Sequence, residues 1–201
     1  MLSDKFGPSI RIWMLHVGRL LGRLGFTPDV LTVLGLLLNI GVAAVIATGH
    51  PQIGGALLLV ASAFDMLDGA VARANDRVTK FGGFLDSTLD RYSEIVVFLG
   101  VLIYLLGTPN ADTGSILVFL AVTGSLMISY ARARAEAIGS NASVGFLPRP
   151  ERVILLALCL IVGKPMIALW VLAILTHVTA AMRIHHVWRQ ERSAAPNERH
   201  V

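Results

Sequence analysis

The chain has 201 residues, of which 55% are hydrophobic and only 15% charged, and its mean hydropathy is +0.70. A water-soluble domain carries nearer a quarter charged residues, so a soluble enzyme is excluded; the length suits one membrane domain of about six helices at roughly 20 apolar residues each. The net charge of +4 and the pI near 9.7 come from charge segregated between the two sides of such a bundle, which fits contact with lipid phosphates and excludes nucleic acid as the expected partner.

In chain order, residues 9–24 are predicted to form an amphipathic helix. Ile10, Met14, Val17, Leu21 and Leu24 recur at helical spacing, with Arg11, Arg19 and Arg23 offset from them. That pattern suits a helix lying in the interface of an anionic leaflet, and the arginines break any continuous apolar stretch of a signal peptide. Thr27, Pro28 and Asp29 open the first predicted span at about 30–48. Further spans follow at about 53–75, 82–107, 114–137, 151–163 and 165–189, with Gly49, Pro51, Gly107, Pro109, Pro148, Pro150, Gly163 and Pro165 at the joints. The single Cys159 sits in an apolar run and reads as packing. The tail after Trp188 is polar and is expected to be frayed. The expected organisation is therefore a juxtamembrane helix at 1–26, a six-helix membrane domain at 27–190 and a flexible tail at 191–201. The expected fold class is all-α and integral to the membrane, with six transmembrane helices and an N-terminal interfacial helix.

Of the 17 Lys and Arg residues, all but Lys164 fall on the side that holds both termini. The positive-inside rule places that side in the cytoplasm.

Residues 65–90 carry the chemistry. Asp65 and Asp68 are spaced i, i+3, and Asp86 and Asp90 are spaced i, i+4, so each pair shares one helix face. The apolar run from Ile95 to Leu106 supplies only about 18 Å of helix against a hydrocarbon core of about 30 Å. The third span must therefore draw Asp86 and Asp90 into the membrane, and Asp65 and Asp68 follow directly on the apolar run of the second. Carboxylates at that depth are costly and face protein or a water-filled cavity. Two facing pairs repel unless a cation sits between them, and Mg2+ or Mn2+ prefers such hard oxygen ligands.

The full string is D-x2-D-G-x2-A-R-x8-G-x3-D-x3-D, fixed at Asp65, Asp68, Gly69, Ala72, Arg73, Gly82, Asp86 and Asp90. It resembles the signature of the CDP-alcohol phosphotransferases, and the span count, the N-terminal helix and the Thr-Pro-Asp opening of the first span resemble that family too. The resemblance implies transfer of a phosphatidyl group from a CDP-lipid such as CDP-diacylglycerol to an alcohol, with CMP leaving. It implies two Mg2+ (or Mn2+) ions, one on Asp65, Asp68 and Asp86 and the other on Asp65, Asp86 and Asp90, with Asp90 also the general base. Gly69, Arg73 and Thr79, with Pro28, Asp29 and Thr32, would contact the CDP moiety, and the enzyme would be a homodimer.

Beyond the signature, Ser129, Arg132, Arg134, Arg149, Arg152 and Arg183 gather basic charge near one cytoplasmic cavity. The arrangement is similar to that in phosphatidylinositol phosphate synthases, which implies that Ser129, Arg132, Arg152 and Arg183 hold the phosphate of an inositol phosphate acceptor. An alternative is that these are ordinary positive-inside residues at helix ends. Within the family the rivals are phosphatidylglycerophosphate synthase and an ether-lipid counterpart. Outside it they are a divalent-cation transporter, which has no use for Arg73 one turn from its ligands, and a membrane prenyltransferase, which needs more spans.

Overall fold

The computed structural model describes residues 8–194, and every element within them is a helix. In chain order these are α1 (Pro8–Arg23), α2 (Pro28–Ala47), α3 (Pro51–Ala74), α4 (Lys80–Leu106), α5 (Ala111–Ala137), α6 (Arg149–Ile161) and α7 (Pro165–Ala194). Lys5, Arg199 and the last part of the expected tail lie outside the described residues, as do the side chains of 8–15. The helix starts follow local chemistry. Thr27 caps α2 ahead of Pro28 in the first turn, and the Thr79 hydroxyl accepts a 2.9 Å bond from the Gly82 amide to cap α4.

Four helices, α2, α3, α5 and α7, are long and apolar enough to cross a membrane. The exceptions are informative. α4 has 27 residues, but Asp86, Asp90, Arg91 and Glu94 interrupt its apolar character up to the middle of the helix. α6 has 13 residues and is roughly 20 Å long, short of the bilayer core.

α2 packs against α3 and α4, α3 against α1 and α6, α5 against α4 and α7, and α6 against α7. Six helices share one core, in which Ile46, Leu58, Val101, Ala121, Leu160 and Leu172 each represent one of α2 to α7. Val60, Phe119 and Ile161 face outward, as apolar residues do where the solvent is lipid. α2 and α4 approach closely at Gly100, where a Cβ would stand 2.5 Å from the Ala43 carbonyl oxygen.

The 138–148 connection is tied to α7 by side chains. Thr179 Oγ1 accepts from the Phe146 amide (3.1 Å) and donates to the Phe146 carbonyl (2.9 Å). Arg183 donates from Nε to the Val144 carbonyl (3.1 Å) and from Nη1 to the Ile128 carbonyl (2.8 Å). Further out, Gln190 accepts from the Asn141 amide, and Ser140 donates to Glu191. These last contacts correct the expectation of fraying directly after Trp188. α7 runs on through Ala194, held by the loop and by Arg192, whose guanidinium carbon lies 4.4 Å from the centre of the Trp188 ring.

Gly100→Ala is expected to lower stability in detergent by about 1–3 kcal/mol, because the new methyl meets backbone. Gly41→Ala, where a Cβ meets nothing within 4 Å, is expected to leave the melting temperature unchanged or slightly raised, and a thermal melt of both variants checks the contrast.

Candidate active site

Asp65 and Asp68 lie on α3, and Asp86 and Asp90 on α4, so the i, i+3 and i, i+4 spacings bring two carboxylate pairs onto facing helices. All four line one cavity of about 520 Å3, together with Gly69, Arg73 and Arg149. A second cavity of about 270 Å3 adjoins it, lined by Pro28, Asp29, Thr32, Asp68, Gly69, Arg73, Thr79, Gly82 and Asp86. Asp68, Gly69, Arg73 and Asp86 belong to both walls. The six residues expected to meet the CDP moiety therefore surround one space, which opens onto the carboxylates.

Three of the carboxylates are held by elements outside their own helix. Asp68 is buried at 8% exposure and accepts a 2.8 Å bond from Thr32 Oγ1 and another from the Gly69 amide. α2 thus fixes a carboxylate of α3. Asp65 lies against α2 at Gly35, where a Cβ would stand 2.5 Å from Asp65 Oδ1. Gly82 performs a similar service at the other cavity: its missing side chain leaves room for Thr79 Oγ1 and Asp29 Oδ1. The crowding at Gly82 therefore comes from the start of α2 and its own cap.

The charge between the two pairs comes from Arg149, the first residue of α6. Its Nη1 lies 2.7 Å from Asp90 Oδ1 and its Nη2 3.2 Å from Asp65 Oδ2. Arg91 adds a looser 3.5 Å contact to Asp90. In the sequence, Arg73, Arg77 and Arg91 are the nearest salt-bridge candidates, and Arg149 does not stand out as a bridge because α6 lies far away along the chain. A proline-flanked arginine opening a short helix is its one available signal. Among the described residues, no group of three or more His, Cys, Asp or Glu side chains is drawn into metal-holding geometry. The donor chemistry nevertheless fits a divalent cation: four carboxylates, all hard oxygen donors, on one cavity wall.

The expected acceptor residues line neither of these cavities. Arg152 is 3% exposed and forks onto Glu94, with Nε at 2.9 Å and Nη2 at 3.1 Å, while Nη1 donates to the Leu147 carbonyl. It borders a small void of about 20 Å3 beside Asp65, Asn39, Ser93 and Glu94. Arg132 is exposed and bonded to Glu136 at 2.8 Å. Ser129 donates to the Ser125 carbonyl at 3.3 Å, and Arg183 is engaged with the 138–148 connection as described. Arg183 lies within electrostatic range of Arg132, Arg152 and Arg91, and of Glu136, so these arginines form a positive cluster. Glu94 carries no signal of this role in the sequence, and its carboxylate makes Arg152 a buried ion pair.

The CDP-alcohol phosphatidyltransferase profile matches residues 26–184. The chain belongs to the CDP-alcohol phosphatidyltransferase family. It is 36% identical to the archaetidylinositol phosphate synthase of Pyrococcus horikoshii, over 92% of this chain and 95% of the relative. It superposes on the Mycobacterium tuberculosis phosphatidylinositol phosphate synthase with CDP-DAG bound at a TM-score of 0.82, with 34% identity, covering 87% of this chain and 93% of that one. The same mycobacterial enzyme in complex with manganese and citrate also gives 0.82 at 34% identity, over 87% and 88% of the two chains. This CDP-alcohol phosphatidyltransferase is thus an enzyme of phospholipid synthesis, with four helices long and apolar enough to cross a membrane.

Arg152→Ala is expected to lower stability by about 3–5 kcal/mol, because it strands the Glu94 charge in the core. Adding Glu94→Gln is expected to restore part of that loss, and thermal melts of the single and double variants read the coupling.

Proposed function

We propose that this enzyme transfers a phosphatidyl group from CDP-diacylglycerol, or its ether-lipid equivalent, to the hydroxyl of an inositol phosphate. One observation carries the reading: the signature residues line two adjoining spaces that share Asp68, Gly69, Arg73 and Asp86, one walled by carboxylates and the other by the start of α2. A diphosphate joining nucleotide to lipid fits such a junction. Gly69 and Arg73 stand where a phosphate would lie, and Pro28, Asp29, Thr32 and Thr79 where the nucleotide would.

In the proposed reaction Asp65, Asp68, Asp86 and Asp90 hold two Mg2+ or Mn2+ ions, which supply charge neutralisation for the diphosphate. Asp90 accepts the proton of the acceptor hydroxyl. The hydroxyl oxygen forms a bond to the β-phosphorus as the bond from that phosphorus to CMP breaks. Thr32 and Gly35 keep Asp68 and Asp65 in place, so most of the work is positioning and electrostatics.

The acceptor reading draws on two things. The names of the archaeal and mycobacterial relatives differ in the lipid and share the inositol phosphate. The cluster of Arg132, Arg152 and Arg183, with Ser129 beside it, offers more positive charge than its carboxylate partners offset, which suits an anionic acceptor better than free glycerol or serine. In the membrane we propose six spans, α2 to α7, with α1 as the interfacial helix, a domain at 27–190 flanked by 1–26 and 191–201, both termini in the cytoplasm, and two copies per enzyme.

Asp90→Asn is expected to abolish CMP release while Mn2+ and CDP-diacylglycerol still bind; normal turnover would remove Asp90 as the base. Given CDP-diacylglycerol with inositol phosphate, glycerol phosphate, serine or free inositol, the enzyme is expected to turn over inositol phosphate fastest. Arg132→Ala, chosen because the residue is exposed, should raise the KM for that acceptor at least several-fold and leave the KM for the CDP-lipid unchanged. A dominant glycerol phosphate activity would reassign the acceptor.

A further inference from the structure

Two arginines open α6, and they are used in opposite ways. Arg152 is saturated: three of its nitrogens donate to Glu94 and to Leu147, and almost none of it is exposed. Arg149 is not. It gives one nitrogen to Asp65 and one to Asp90, leaves its side chain 24% exposed, and buries Nε without a hydrogen-bond partner. A permanent structural clamp in a low-dielectric site would satisfy that donor, because an unpaired buried N–H is costly. The guanidinium also borders the 520 Å3 cavity, so it has space to leave the carboxylates without disturbing the helix that carries it. That helix start is fixed independently, by Arg152 and by the tie between α7 and the connection.

We propose that Arg149 is an exchangeable counterion, which neutralises Asp65 and Asp90 until a divalent cation claims them and then turns into the same cavity to bind a phosphoryl oxygen of the substrate. Resting enzyme thereby avoids four unscreened carboxylates. Its guanidinium competes with the cation for two of them, and releasing it delivers positive charge to the space where a diphosphate lies. Cation binding and anion binding become coupled through one side chain. The inference rests on the metal reading of the aspartates proposed above.

Mn2+ alone, titrated without substrate into the purified full-length enzyme in detergent and followed by electron paramagnetic resonance, reads the competition directly. Arg149→Gln is expected to bind Mn2+ about tenfold more tightly than wild type, because the competitor is gone. Arg149→Lys, which keeps the charge but cannot reach both carboxylates with a planar fork, should fall between them. An affinity in Arg149→Gln that is unchanged or weaker overturns the proposal, since a merely structural arginine predicts that outcome. Asp65→Asn separates the two layers. If wild type binds no Mn2+, the metal reading and this inference fall together. If wild type binds it and Asp65→Asn weakens binding while Arg149→Gln does not alter it, only the inference falls. Should the Arg149 variants not fold, phenylglyoxal modification of wild type tests the same exchange. Mn2+ is expected to speed labelling of Arg149 several-fold by freeing it from the carboxylates, and an unchanged rate overturns the exchange.

Discussion

Negative charge gathered from α3 and α4 around one cavity is the constraint around which this molecule is arranged. Asp65, Asp68, Asp86 and Asp90 sit where the surrounding medium screens them poorly, and their mutual repulsion would push α3 and α4 apart. The fold answers with local attachments. Thr32 on α2 bonds Asp68, Gly35 lets Asp65 lie against the same helix, and Arg149 on α6 spans Asp65 and Asp90. The carboxylates are thereby braced from two sides by elements distant in sequence, and α2 serves both as a wall of the cavity and as a support for its acidic groups.

The arginines form a second layer of organisation. Arg183 fastens the connection before α6 to α7, and Arg152 fastens the start of α6 to Glu94 on α4. Leu147, in the left-handed region at φ 52°, turns the chain into α6 between those two anchors. Together they set where Arg149 emerges. Residues far from the carboxylates in sequence thus decide the position of the guanidinium that spans them, which gives Arg152 and Arg183 a positioning role whatever else they bind.

The helical architecture is largely legible in the sequence because membrane helices must satisfy their own backbones, and because Gly and Pro mark their ends. The predicted spans and the observed helices differ by only a few residues at most boundaries, and the largest difference is the end of α7. There, polarity alone suggests fraying, whereas bonds from Ser140 and Asn141 extend the helix through Ala194. The carboxylate spacing is legible for the same reason, since helical periodicity places Asp65 with Asp68 and Asp86 with Asp90. Arg149, Glu94 and Gly35 are not, because their roles arise from which helices are neighbours, and nothing in local sequence announces that α6 begins beside α3 and α4. The basic residues show the limit most clearly. Their sign can be read from the chain, but not that Arg152 is spent on Glu94 while Arg132 stands in the open.

The brevity of α6 has a consequence of its own. A rod of roughly 20 Å cannot line the cavity through the full hydrocarbon thickness. Val153 and Ile154 near its start border the carboxylate space, together with Leu59 and Met66 of α3. On the proposed reaction, the CDP-lipid held in the leaflet would meet this apolar flank and turn only its polar end toward the carboxylates, while the polar alcohol would enter from the aqueous side.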